Sequence, residues 1–143
     1  MGKDRDLRAA IPPAASGEWG VVEWAVDASG KTPARKFFQD LKHADQAKIQ
    51  AQFNLLAKQG RIDTRERFKK LETRRGWALW EFKSFQLRFI GTYSRIAIAF
   101  VVADGFRKKQ DRHRSRDLDR AARILDEHFE RLTQRKTRWR QTN

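Results

Sequence analysis

The stretch Trp77–Lys109, WALWEFKSFQLRFIGTYSRIAIAFVVADGFRKK, decides the fold. In its first third the period is two, which is the period of a strand with distinct faces. Ala78, Trp80 and Phe82 share one face, and Leu79, Glu81 and Lys83 share the other. Phe85, Leu87 and Phe89 then point one way, and Gln86, Arg88, Ile90 and Thr92 the opposite way. A tight hairpin or bulge is expected at Lys83-Ser84. Arg95–Ala103, RIAIAFVVA, is almost wholly apolar, as a central strand covered on both faces would be. Asp104-Gly105 is a reasonable stop for it, with Arg95 at its start.

Outward from this block, Glu18–Val26 (EWGVVEWAV) reads as another strand, followed by a turn at Asp27–Gly30. Thr32-Pro33 supplies an N-cap and a proline at the first helical position. Ala34, Phe37, Phe38 and Leu41 recur on one helical face. A second helix is expected over Ala44–Gln59, with Phe53 and Leu56 in its apolar stripe and Gly60 as a left-handed cap. Arg61–Arg75 is strongly charged and gives no clear element. Phe106–Arg116 reads as a dense basic loop, and Leu118, Ala121, Ala122, Leu125, Phe129 and Leu132 mark a last helix ending near Leu132. Asp117 and Asp119 near its start complement the helix dipole. The expected order is β-α-α-β-β-β-α, an α+β domain in which two helices pack on a small, mostly antiparallel sheet and a C-terminal helix follows. Residues 18–132 form the expected domain, 1–17 a flexible arm, and 133–143 a basic tail that frays.

Composition narrows the function. The 143 residues carry 32 Lys and Arg against 18 Asp and Glu, a formal net charge of +14. The sequence pI lies near 10.9, above the value of about 9 that marks a polyanion binder. Non-specific affinity for nucleic acid follows, because each neutralised phosphate releases counterions. An acidic protein partner is the other way to balance such charge. Cysteine is absent, so no disulfide or thiolate metal site can form. No run is long and apolar enough for a membrane span, and a cytoplasmic protein is expected. Glycines are scattered singly, with no phosphate-cradling loop. His43, His113 and His128 are too far apart for a local metal motif. Neither a metal nor another cofactor is expected.

A set of cations on the sheet remains. Lys83 and Arg88 share a face with Glu81, Arg95 stands at the head of the next strand, and Arg107, Lys108 and Lys109 follow its end, with His113 a few residues on. Adjacent antiparallel strands can gather such positions into one shallow basic surface. Lys69, Lys70, Arg112 and Arg114 extend its reach as further RNA-binding candidates. That surface suits RNA cleavage through attack of the 2′-hydroxyl on its own phosphorus. The reaction needs a base, cations for the added charge, and an acid for the leaving oxygen. Arginine suits the middle role because it stays charged and grips phosphate through two N–H groups. Clustered lysines lower one another's pKa, which prepares one of them as base. Against this, a single Lys or Arg on a strand is most often only solvated, Glu81 is accounted for by an ion pair, and Tyr93 and the tryptophans by packing. Composition and pattern reach nucleic-acid binding and stop short of cleavage.

Cleavage enters through a resemblance. LWEFK at Leu79–Lys83, Arg88 in the following strand, the apolar Ile96–Val102 and GFRKKQ at Gly105–Gln110 resemble the RelE/HigB toxin superfamily. The likeness is greatest to its phage-derived branch, in which an LWELR-like strand precedes a GF-x-KK motif and a final helix. It spans Val21–Phe129. It implies the toxin of a type II toxin–antitoxin module, a ribosome-dependent mRNA endoribonuclease held inactive by a cognate antitoxin, often a HigA-like helix-turn-helix protein. Carried over, the strand arginine is Arg88, the preceding polar pair is Glu81 and Lys83, and the terminal basic motif is Arg107, Lys108 and Lys109. Many relatives have a His or Tyr near the end of the last strand. Here Phe106 lies in that neighbourhood and His113 is the nearest imidazole, which leaves the acid and base unassigned. Two alternatives stay open: a ParE-like gyrase poison on the same fold, and a non-catalytic nucleic-acid-binding phage protein.

Overall fold

A computed structural model describes residues 11–109 and 114–142. Six strands and three helices form from these residues: β1 (Ala15–Ser16), β2 (Val21–Trp24), α1 (Pro33–Gln39), α2 (His43–Gln59), β3 (Phe68–Arg74), β4 (Trp77–Ser84), β5 (Leu87–Tyr93), β6 (Ala99–Arg107) and α3 (Arg114–Thr142). The strands make one mixed sheet in the order β1-β2-β6-β5-β4-β3. Only the β2–β6 pairing is parallel. The chain is thus an α+β protein, and both faces of its sheet are covered.

Period-two alternation in β4 and β5 divides two cores. Phe82, Phe89, Phe100 and Val102 pack against Ile49, Phe53 and Leu56 of α2 and Ala34 of α1. Leu79, Ile90, Val101 and Ala103 pack on the other side against Leu118, Ala121, Ala122 and Leu125 of α3. Neither surface of this sheet is free, because β4, β5 and β6 present apolar residues to both sides. The face carrying Glu81 and Lys83 looked polar in sequence, yet it lies beneath α3.

Several boundaries differ from the pattern. The charged segment after Gly60 contains β3, an edge strand whose Lys and Glu residues discourage further pairing. Arg75 and Gly76 both have positive φ, 51° and 82°, as a two-residue type I′ hairpin turn requires. The next turn is Phe85-Gln86 and not Lys83-Ser84, since Ser84 still pairs with Leu87. Strand β6 starts at Ala99, four residues past Arg95. It runs through Asp104-Gly105 to Arg107. Gly105 is there for close approach: a Cβ at this position would lie 2.7 Å from the Phe37 ring and 2.8 Å from that of Phe89. The basic segment is therefore strand as far as Arg107 and helix from Arg114. The α3 backbone continues past Leu132 to Thr142.

At the first helix Pro33 takes the first position, but the Thr32 side chain makes no capping hydrogen bond. Gly60 closes α2 in the left-handed conformation, and its N–H donates to the Leu56 carbonyl. Val21–Trp24 is the strand portion of the longer Glu18–Val26 run. Residues 15–16 of the expected flexible arm pair with β2, and residues 1–10 lie outside the described part. No described helix is long and apolar enough to cross a membrane.

Candidate nucleic-acid interface

The site builds from cross-strand register. Lys69 of β3 lies opposite Glu81 of β4, and Lys83 of β4 lies opposite Arg88 of β5. Directly opposed residues share a face, so these four side chains belong to the α3 side of the sheet. In the next row Arg88 is opposite Phe106 of β6. The first residue of α3, Arg114, reaches down to the same place.

Glu81 is the centre of this group and is 1% exposed. Arg114 Nη2 donates to Glu81 Oε1 at 3.2 Å, and Arg88 Nε stands 3.8 Å from the same oxygen. A buried carboxyl held by two guanidinium groups satisfies the rule that enclosed charge must be paired. Lys69 and Lys83 flank it, half-buried, at the open side. Partial burial, and after it the like charges of Lys83 and Arg114, hold the Lys69 ammonium below its ordinary pKa, with Glu81 opposing. A larger share of Lys69 is therefore neutral amine at a given pH. Four cations surround one carboxyl, so the cluster keeps a positive excess suited to phosphate.

Arg88 does not project into solvent as the sequence pattern implied. It is 7% exposed. Its Nη1 donates to the carbonyls of Phe85 at 2.5 Å and Leu87 at 2.8 Å. Burial lowers its pKa from the ordinary arginine value, opposed by Glu81. The guanidinium thus ties the β4–β5 turn to Glu81 and reinforces the positive potential from below.

The other candidates divide. Lys108 continues the β6 ladder, its N–H donating to the Gln86 carbonyl at 2.7 Å beside the same turn. Lys109 is exposed just beyond it. Arg107 pairs with Leu87, a residue of the α1–α2 core, so its side chain starts from the opposite face to Arg88. Lys70, opposite Trp80, is likewise out of the Lys69 row. Arg95 lies at the far end of the sheet. Its guanidinium stacks 4.4 Å from the Trp77 ring centroid and donates to the Gly76 carbonyl. It therefore belongs to a separate patch, because Trp77 opens β4 while Lys83 nearly closes it. Arg112 and His113 lie outside the described residues.

Tyr93 and Trp80 follow the packing expectation. Tyr93 donates its hydroxyl to the Gly60 carbonyl at 2.7 Å, and Trp80 stacks on Phe68 with ring centroids 5.0 Å apart. His128 is buried, its Nδ1 accepting from the Val26 N–H at 3.0 Å. Among the described residues no group of three or more His, Cys, Asp or Glu is placed to hold a metal ion.

Phe85, Lys48 and Gln52 gather at the β4–β5 hairpin tip on the α2 side, although the pattern did not single them out. Gln52 of α2 donates to the Lys83 carbonyl at 2.8 Å, and Lys48 Nζ lies 4.4 Å from the Phe85 ring centroid. Only tertiary packing brings α2 to the hairpin tip, so spacing carried no signal for either. No protein-family model matches the chain, and no curated protein matches it.

Proposed function

We propose that this chain is the toxin of a type II toxin–antitoxin module, an endoribonuclease that cuts messenger RNA on the ribosome. The observation that carries the reading is the gathering of Lys69, Lys83, Arg88 and Arg114 around Glu81 at one end of the sheet. The motif order from Leu79 to Gln110 resembles the RelE/HigB superfamily and supplies the reaction class. In the proposed step the 2′-oxygen bonds to the adjacent phosphorus as its proton passes to a base. The bond from phosphorus to the 5′-oxygen then breaks, leaving a 2′,3′-cyclic phosphate and a 5′-hydroxyl once that oxygen is protonated.

Lys69 is assigned as base: it stands opposite Glu81 in the cluster, and burial with the like charges of Lys83 and Arg114 lowers its pKa and so enlarges its neutral-amine fraction. Arg114 and Lys83 face the charge that grows on the phosphate oxygens, and Arg88 adds potential from beneath. The +14 charge suits docking on ribosomal RNA and neutralisation by an acidic antitoxin.

One observation favours binding without cleavage instead. The Arg88 guanidinium is occupied by backbone carbonyls and Glu81, a structural arrangement. Purified ribosomes programmed with a defined message separate the two readings. Native protein should yield new 5′-hydroxyl ends, and Lys69→Ala should cut about 100- to 10,000-fold more slowly, the usual worth of a general base, with its thermal melt unchanged. The rate should rise with pH through the lowered Lys69 pKa, and Lys69→Arg should lose that limb. Native protein that binds and does not cut establishes the binding reading. Equal cutting by Lys69→Ala removes Lys69 from the site.

A further inference from the structure

The tip of the β4–β5 hairpin carries two costs at one residue. Phe85 takes φ 54°, a left-handed conformation that bulky side chains rarely adopt and that glycine fills without strain. Positive φ at the first central residue of a two-residue turn is the type II′ position, where glycine is the usual choice. The residue is also 78% exposed, among the largest apolar exposures in the described residues. Neither the turn nor the core gains from phenylalanine here.

The tip is nevertheless firmly held. Arg88 Nη1 donates to the Phe85 carbonyl, the Lys108 N–H donates to the Gln86 carbonyl, and Gln52 anchors the Lys83 carbonyl from α2. Lys48 of α2 stands over one face of the ring, 4.4 Å from its centroid. An outward aromatic ring on a firmly held turn, with a cation beside it, selects an occupant with both a π face and negative charge. An acidic protein helix would satisfy the lysine and leave the ring face away from it unmatched. An unpaired nucleotide satisfies both.

We infer that Phe85 is a base-stacking platform for an unpaired nucleotide, with Lys48 taking the phosphate of the same strand. The inference rests on reading the adjacent cluster as a phosphate-binding surface, and it gives that surface its preference for single-stranded RNA. Stacking orders one nucleotide at the hairpin tip and so sets which neighbouring phosphate meets Lys69 and Lys83.

The test is fluorescence anisotropy with the full chain, a labelled short oligoadenylate and an abasic strand of equal length. Phe85→Ala should bind oligoadenylate about 5- to 150-fold more weakly, the range for one base–aromatic stack, with little loss on the abasic strand. Its salt dependence should match the native chain, whereas Lys48→Ala should lower the slope of log affinity on log salt by about 0.7. Phe85→Trp should restore binding and show quenched indole emission on oligoadenylate. Phe85→Gly keeps folding out of the question: it relieves the turn, should melt no lower than the native chain, and should bind as weakly as Phe85→Ala. Native-like affinity in Phe85→Gly, or equal loss on both strands, overturns the stacking role and leaves the ring to a protein contact. Base-dependent binding without cleavage on ribosomes would defeat the nuclease reading alone.

Discussion

On the α1–α2 side the sheet buries Phe82, Phe89 and Phe100 against Phe53. On the α3 side Leu79, Ile90 and Val101 share the interior with Glu81, Arg88 and Asp104. The first side is an aromatic core: Phe53 meets Trp24, Phe82 and Phe89 at ring centroids 4.9 to 5.6 Å apart. Enclosed charge among the described residues lies on the second side. Buried ion pairs contribute little net stability over apolar residues of the same size, so one side accounts for folding more directly than the other. Glu81 and Arg88 on the second side brace the turn and hold Arg114 beside Lys69. The difference teaches that a strand with two buried faces can divide its work between them.

The contrast can be broken hardest at its aromatic centre. Phe53→Ala should lose about 3–5 kcal/mol by the cost of emptying a buried aromatic site, read from urea denaturation. A loss below about 1 kcal/mol would mean that the α1–α2 side is not the stabilising one. On the α3 side Glu81→Leu should cost about 3–5 kcal/mol, because it leaves buried Arg88 without its counter-charge. Adding Arg88→Met should recover part of this, with a coupling of roughly 0.5–3 kcal/mol. Strict additivity would show that the two groups do not act as a pair.

A smaller effect separates the sides through pH. Burial pushes Asp104 up to about 6 from 3.8, outweighing the Arg120 guanidinium 3.1 Å away. A carboxyl with a raised folded-state pKa binds more protons folded than unfolded. Its contribution is therefore full below 3.8 and lost as pH rises through about 6. The span corresponds to about 3 kcal/mol. Asp104→Asn should flatten the stability profile in that window, and an unchanged slope would place the titration elsewhere. The smallest effect belongs outside both cores. Lys36 and Asp40 form an exposed i,i+4 pair at 3.2 Å, and Asp40→Ala should shift stability by no more than about 0.5 kcal/mol.

Sequence by itself determined the period-two strands around Trp80 and Phe89, the helical hairpin with its Gly60 cap, the amphipathic last helix and the excess of positive charge. These are local properties, written in spacing and composition. It also placed Glu81, Lys83 and Arg88 on one face, because alternation is fixed by the strand itself. It missed β3, since an edge strand rich in Lys, Glu and Arg carries little apolar pattern. It ended β6 early at Gly105, where the glycine instead admits Phe37. Only the tertiary structure decided that α3 covers the face bearing Arg88, that Lys69 stands opposite Glu81, that Arg95 lies at the far end, and that Lys48 meets Phe85. Each of these is a contact between residues distant in the chain. Packing of whole elements fixes such contacts, and no local periodicity encodes them.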